Sequence, residues 1–203
     1  MSEPVSDLPQ VYEELTGRVR SHLKKIRAIP KKHPEYTVAL LIAVASEGLS
    51  QLRGESRWGV FRQLLERRCK VSELVAHGLF RAVRNGLAHR YDTAMIEVGS
   101  QKIVVVVTWN KPRKHLCVER GDWLKDGVQR LGVWLDTETL WRDLLAYLRK
   151  MDNELRANRK LARSIRDHGR HLDDNYTVRP EKEEPAEVWQ GAWEAFLNER
   201  RDD

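Results

Sequence analysis

Several side chains that could act on a phosphodiester follow one another at the end of an apolar stretch. The stretch reads LFRAVRNGLAHRY over residues 79–91. Asn85 and His89 are four residues apart and share a helix face, whereas Arg84 and His89 are five apart, about 140° around an ideal helix. A site that uses both therefore needs the helix to loosen near Gly86, or a second copy of the chain to supply the missing side.

An imidazole and a guanidinium could cleave RNA without a metal ion, because RNA carries its own nucleophile, the 2′-hydroxyl. His89 is the one motif side chain of a type that titrates near neutral pH, and it would take the 2′-hydroxyl proton or protonate the leaving 5′-oxygen. Arg84 would bind the scissile phosphate and stabilise charge on its oxygens, and Asn85 would hold the imidazole or the phosphate. We expect a 2′,3′-cyclic phosphate and a 5′-hydroxyl as products, with no cofactor, no metal and no cleavage of DNA.

The Arg-x4-His spacing also occurs elsewhere in the chain, so its context matters more than the spacing itself. Arg163 with His168 and Arg166 with His171 repeat it within a charge-rich stretch. At residues 84–89 an asparagine follows the arginine, the apolar spacing continues, and a tyrosine stands two residues after the histidine. This context favours residues 84–89 as the candidate site.

The letters R-N-G-L-A-H-R-Y resemble the HEPN superfamily, over roughly residues 10–92. Members are small helical domains, often dimeric, with Arg-x4–6-His and commonly an asparagine after the arginine. The Arg-x4-His-x-Tyr variant occurs in toxins paired with a small nucleotidyltransferase antitoxin. The resemblance implies a homodimeric, metal-independent endoribonuclease of the toxin or phage-defence type, with RNA as substrate and an antitoxin or regulatory protein as partner.

Glu47 and Tyr91 are the supporting residues that the resemblance suggests. A comparable HEPN helix often carries an acidic group near the site, and Glu47 could orient Arg84 by a charge-assisted hydrogen bond or could be an exposed residue at the helix edge. Tyr91 could contact substrate or stack on a base, could close the helix end, or, as the resemblance implies, could be nucleotidylated by an antitoxin.

Composition predicts a soluble protein whose body attracts polyanions. Charged residues make up 33% of the 203 residues, the two cysteines suggest no disulfide framework, and the apolar run 37–45 is too short to span a bilayer. With no signal-peptide pattern, these features favour the cytoplasm. The net charge of +6 divides into −5 over residues 181–203 and +11 over residues 1–180. This basic body could bind nucleic acid or simply keep the chain soluble.

Apolar spacing predicts a mainly α protein, a HEPN-like helical bundle. Helices are expected over residues 11–28, 35–53 and 56–69, and Ser72 can cap a fourth helix that carries the motif. Asp136 can cap a long helix whose apolar stripe reaches about residue 155 and whose continuation is basic.

Residues 93–119 predict a small antiparallel β-meander inserted into this bundle. Its strands are expected near residues 95–98, 103–107 and 115–118, with a loop near residues 121–132. The valine run needs a cover, either the helical body or another chain. His115 and Cys117 could suggest a metal site with His168 and His171, but the spacing is loose and we predict no metal.

The basic end of the long helix forms an arginine ridge that could follow a phosphate backbone or could be an ordinary solvated face. It comprises Arg156, Arg159, Arg163, Arg166 and Arg170. The predicted RNA contacts are Arg81, Arg159, Arg163 and Arg166.

Three segments are expected along the chain. Residues 1–172 form the HEPN-like domain, residues 173–187 a linker, and residues 188–203 an amphipathic helix with an acidic tail. Trp189 and Trp193 should be covered by the body, a second protomer or a partner. The acidic tail in the wider sense, residues 181–203 with a net charge of −5, could lie on the arginine ridge and shield the site.

A second hypothesis from another class is a non-catalytic HEPN-like module that binds RNA or a protein. In that case Arg84 and Asn85 would only stabilise a dimer interface. RNA cleavage that survives EDTA and requires both Arg84 and His89 distinguishes the enzyme from the module.

Overall fold

The computed structural model describes residues 8–27, 34–90, 95–174 and 186–198, which form seven α-helices and one four-stranded sheet. The predicted mainly α class is confirmed. The elements are α1 Gln10–Arg27, α2 Pro34–Leu52, α3 Gly59–Glu66, α4 Glu73–Arg90, β1 Ile96–Val98, β2 Gln101–Thr108, β3 Val118–Gly121, β4 Arg130–Asp136, α5 Thr137–Ala157, α6 Arg159–Asp174 and α7 Ala186–Asn198. None of the described helices is both long and apolar enough to cross a bilayer.

The apolar helix α2 is the centre of the bundle. It packs against α1, α3, α4, α5, α6 and strand β2, which is why Ile42, Ala43 and Leu49 are almost fully buried. Gly54 follows its end with φ +67°, a left-handed conformation that suits glycine and closes the helix.

The sheet is mixed, so the predicted antiparallel meander is wrong. Its strand order is β1-β2-β4-β3, and β2 pairs with β4 in parallel, while the other two pairs are antiparallel. Strand β4 begins inside the predicted loop at residues 121–132, where Gly121, Gly127 and Gly132 resemble turn residues. The expected third strand starts three residues later, because Pro112–Lys114 form a short 3-10 helix.

The helical body covers one face of the valine run. Ile103, Val105 and Val107 join the main core together with Val133 and Leu135 of β4, and helices α2 and α4 contact β2. Long-range pairing with β4 thus places β2 inside the sheet, where both of its edges are hydrogen-bonded.

The predicted long basic helix is interrupted at Asn158. Asp136 caps α5 as expected, since its side chain accepts a hydrogen bond from the Thr139 backbone N–H at 2.9 Å. The backbone of Asn158 is then extended, with φ −128°, and its Oδ1 accepts a hydrogen bond from the Leu161 N–H at 3.1 Å. A new helix, α6, therefore starts here and packs against α1, α2 and α5.

The C-terminal helix docks on the body of its own chain. Trp193, Phe196 and Leu197 are buried, and α7 packs against α4 and β1. Helix α6 extends two residues beyond the predicted domain boundary at residue 172. Most of the predicted linker, the Trp189 side chain and the last residues of the acidic tail lie outside the described part of the chain.

Candidate functional site

Helix α4 carries the motif without interruption. It continues through Gly86 as far as Arg90, which excludes the alternative that the helix loosens near Gly86. The positions of Arg84 and His89 therefore remain about 140° apart around one helix. The His89 side chain and Tyr91 lie outside the described residues.

A buried carboxylate of the neighbouring helix α2 holds the Arg84 guanidinium. Its Nε donates a hydrogen bond to Glu47 Oε2 at 3.2 Å. Glu47 is only 8% exposed, so the alternative of an exposed residue at the helix edge is excluded. The Arg84 side chain remains 33% exposed. The contact thus orients a guanidinium that solvent can still reach.

A second guanidinium, which sequence reasoning missed, meets the same carboxylate. Arg57 Nε lies 3.8 Å from Glu47 Oε1, and the Arg57 side chain is 30% exposed. Arg57 belongs to the loop between α2 and α3, where no helical spacing connects it with the motif. Next to it, Trp58 stacks on His77 of α4 with ring centroids 3.9 Å apart. That stacking fixes the loop against the motif helix and could not be read from local sequence.

Asn85 and Arg81 extend the cluster along α4. Asn85 is half-buried, and its Oδ1 accepts a hydrogen bond from Arg84 Nη1 at 3.4 Å. Arg81 is exposed one turn earlier, at positions i−3 and i−4 from these two residues. The structure therefore brings together Arg81, Arg84, Asn85 and Glu47 of the predicted site.

The arginine ridge belongs to a different helix. Arg159, Arg163 and Arg166 are exposed on α6, which packs against α1, α2 and α5. Arg156 lies across the Asn158 break, on α5. The ridge and the motif thus lie on different helices, and no continuous helix joins them.

The histidine considered for a metal has a structural role. His115 Nδ1 accepts a hydrogen bond from the Asp136 backbone N–H at 3.1 Å, and burial lowers the pKa of its imidazole to about 4. Cys117 donates to the Arg113 carbonyl, and His168 lies against Gly54. Among the described residues, no group of three or more His, Cys, Asp or Glu side chains could hold a metal ion.

The Glu47 cluster has the charge and geometry of an anion site. It combines one buried carboxylate with two guanidiniums, both of which approach the carboxylate through Nε. Among the described residues, the Nη nitrogens of Arg57 have no hydrogen-bond partner and could donate to phosphate oxygens. Comparison of the chain with protein-family models, curated proteins and solved structures gives no match.

Proposed function

We propose that this protein is a HEPN-type, metal-independent endoribonuclease that cleaves RNA by attack of the 2′-hydroxyl on the adjacent phosphorus. The observation that carries the proposal is the Arg84 guanidinium, one-third exposed, held by the buried Glu47 carboxylate and flanked by Asn85. A cation fixed in this way is suited to bind a phosphate without first losing conformational freedom.

The motif residues divide the proposed reaction between charge stabilisation, proton transfer and positioning. Arg84 binds the scissile phosphate and stabilises the charge that develops on its non-bridging oxygens. His89 accepts the 2′-hydroxyl proton, or donates a proton to the departing 5′-oxygen. Asn85 shares a helix face with His89 and holds either its ring or the phosphate. The 2′-oxygen forms a bond to phosphorus as the bond to the 5′-oxygen breaks.

A two-fold dimer supplies the geometry that one helix lacks. Because α4 is continuous, His89 of a second protomer would complement Arg84 of the first, and two imidazoles could act as base and acid.

The biological setting proposed here follows from the HEPN resemblance. Residues 1–172 would be a HEPN-like domain with the mixed sheet as an insertion, acting in the cytoplasm as a toxin or phage-defence effector. An antitoxin or regulatory protein would be its partner, with Tyr91 as a substrate contact or as a nucleotidylation target.

Labelled RNA incubated with purified protein and EDTA tests the nuclease. We expect cleavage to persist in EDTA, to leave a 2′,3′-cyclic phosphate, and to spare DNA of the same sequence. Arg84→Ala and His89→Ala should each reduce the rate by at least about a hundredfold. His22→Ala and Arg149→Ala remove exposed residues of the same types on α1 and α5 and should leave the rate unchanged.

Two outcomes would replace the proposal. RNA binding without cleavage would assign the chain to the non-catalytic module. Cleavage that stops in EDTA and resumes with a divalent cation would show that the active site depends on a metal, and the roles of Arg84 and His89 given above would be wrong.

A further inference from the structure

The sheet has a second face, opposite the one that packs on the helical body. Side chains alternate along β2, so Val104 and Val106 point away from Ile103 and Val105. Val104 is buried without belonging to the main hydrophobic core. In register, Val106 is paired with Trp134 of β4, so this outer face has its own apolar and aromatic layer.

A tryptophan from the β3–β4 loop folds back over this outer face. A Cβ on Gly132 would come within 2.5 Å of Trp123 Nε1, and one on Gly121 within 2.8 Å of the same ring. Trp123 Nε1 donates to the Arg130 carbonyl at 3.0 Å. Its ring meets Trp134 edge-to-face, with centroids 5.5 Å apart. Two indoles are thus fixed side by side on the outer face.

Two lysines lie over the ring of the same indole. The ammonium groups of Lys111 and Lys114 are each 5.3 Å from the centroid of the Trp134 ring. Lys114 also pairs with Glu119. The turn that carries the lysines is fixed by Asp136, whose Oδ1 accepts from the Lys111 backbone N–H at 2.7 Å. Their positions therefore follow from the fold.

We propose that this Trp134 surface, formed by Val106, Lys111, Lys114, Trp123 and Trp134, binds single-stranded nucleic acid. Indole rings stack on unpaired bases of any sequence, and ammonium groups beside them pair with the linking phosphates. A duplex keeps its bases stacked inside and cannot use the indoles. Positive charge on residues 1–180, +11 in total, favours a polyanion over a neutral partner. The inference concerns binding alone, and it stands whether or not the chain cleaves RNA.

Fluorescence anisotropy with the full chain tests the proposal. The probes are a labelled twelve-nucleotide oligouridylate, the corresponding oligodeoxythymidylate and a duplex of equal length. We expect both single strands to bind more tightly than the duplex. Trp134→Leu should weaken their binding about tenfold. Replacing Lys111 and Lys114 with glutamine should weaken the binding of single strands. The plot of the logarithm of the association constant against the logarithm of the salt concentration should become less steep by about 1.4, because two phosphate contacts are lost.

A matched control removes the same charge elsewhere. Arg149 and Lys150 are exposed on α5, and replacing both with glutamine should change neither affinity nor slope beyond a small general effect. If thermal unfolding shows that Trp134→Leu destabilises the fold, its weaker binding is not specific, and the lysine variant alone tests the proposal. The proposal is overturned if the lysine variant binds like the parent, or if the duplex binds as tightly as the single strands. It is also overturned if polyglutamate displaces the labelled probe as well as an unlabelled single strand does, which would indicate an acidic protein partner.

Discussion

At the scale of single residues, the Glu47 carboxylate determines how two arginines are held. Arg84 donates to one of its oxygens and Arg57 lies beside the other. Both guanidiniums are about one-third exposed, so solvent screening limits what these pairs contribute to folding. We therefore expect the main value of the cluster to be the orientation of positive charge toward a ligand.

The first prediction concerns Arg57. If Arg57 binds phosphate together with Arg84, Arg57→Gln should raise KM for RNA about tenfold while kcat changes less, because one charge-assisted hydrogen bond to a phosphate is lost. Steady-state kinetics with labelled RNA measures the two constants. Arg142→Gln removes an exposed arginine on α5 and serves as the matched control. An unchanged KM would show that Arg57 only supports Glu47.

A second residue-scale prediction concerns the buried His115. Burial lowers its pKa from 6.5 to about 4, although Asp136 and Asp143 act in the opposite direction and Arg68 adds to the lowering. Below about pH 6.5 the unfolded chain binds a proton at this residue that the folded chain does not bind until about pH 4. The free energy of unfolding should therefore fall by roughly 3 kcal/mol as the pH falls between these values.

Urea unfolding at pH 7 and pH 5 measures the first part of this loss, about 2 kcal/mol. In His115→Asn, the side-chain oxygen can still accept the hydrogen bond from the Asp136 N–H, but no imidazole titrates. The variant should lose less stability on acidification than the parent chain. Equal losses in the two proteins would show that other groups cause the acid sensitivity.

At the scale of elements, the break between α5 and α6 redirects the basic segment onto the body. Ala162 and Ile165 of α6 are buried, and a Cβ on Gly169 would come within 2.5 Å of Val11 Cγ1 on α1. A helix continuing straight from α5 could not make these contacts with α1. The break therefore adds α6 to the bundle and leaves Arg159, Arg163 and Arg166 exposed.

A third prediction tests the cap that starts α6. Asn158→Ala removes the hydrogen bond from its side chain to the Leu161 N–H and should lower the free energy of unfolding by about 1 kcal/mol. Asn153 is exposed within α5, and Asn153→Ala should be neutral or slightly stabilising because alanine favours helix interiors. Chemical denaturation compares the two variants. If both variants change stability alike, the cap has no measurable role.

The fourth prediction concerns the acidic tail. Deletion of residues 181–203 would also remove Trp193, which is fully buried, so a loss of function after deletion would not be specific to charge. Replacing Glu181, Glu183 and Glu184 with glutamine keeps α7 in place. If the tail shields the arginine ridge, RNA affinity at low salt should rise severalfold. Unchanged affinity at low salt would rule out shielding by these residues.

At the scale of the whole molecule, a fifth prediction tests whether two chains share one site. In a heterodimer of Arg84→Ala and His89→Ala chains, one site would receive an intact Arg84 and an intact His89, one from each protomer. Each variant alone should be inactive. An equal mixture after subunit exchange should recover about a quarter of the parental activity, since half of the dimers would be mixed and each would have one intact site.

Sedimentation of the mixture checks that dimers form and exchange. A mixture of Arg84→Ala chains with chains that carry both Arg84→Ala and His89→Ala is the control, because no dimer in it contains an intact Arg84 and no activity should return. If dimers exchange but activity does not return, Arg84 and His89 do not act across an interface, and the dimeric mechanism is wrong.

Local sequence determined most of the helices and the residues worth examining. The apolar spacing of α1 to α4 and the capping aspartate of α5 are set within a few residues of chain, so they could be predicted directly. The contact between Glu47 and Arg84 was also accessible, although only through the HEPN resemblance. Asparagine is a common helix cap, but the break at Asn158 was not predicted because the helical spacing continues on both sides of it.

Only the tertiary structure decided which distant segments meet. Pairing of β2 with β4 brings together strands separated by 21 residues of chain, and the glycines of the intervening stretch resembled a loop. Arg57 lies close to Glu47 while its neighbour Trp58 stacks on His77, and Lys111, in the turn after β2, lies over the Trp134 ring of β4. Such contacts depend on how buried surfaces fit together in three dimensions, and residue spacing along the chain contains no direct record of that fit.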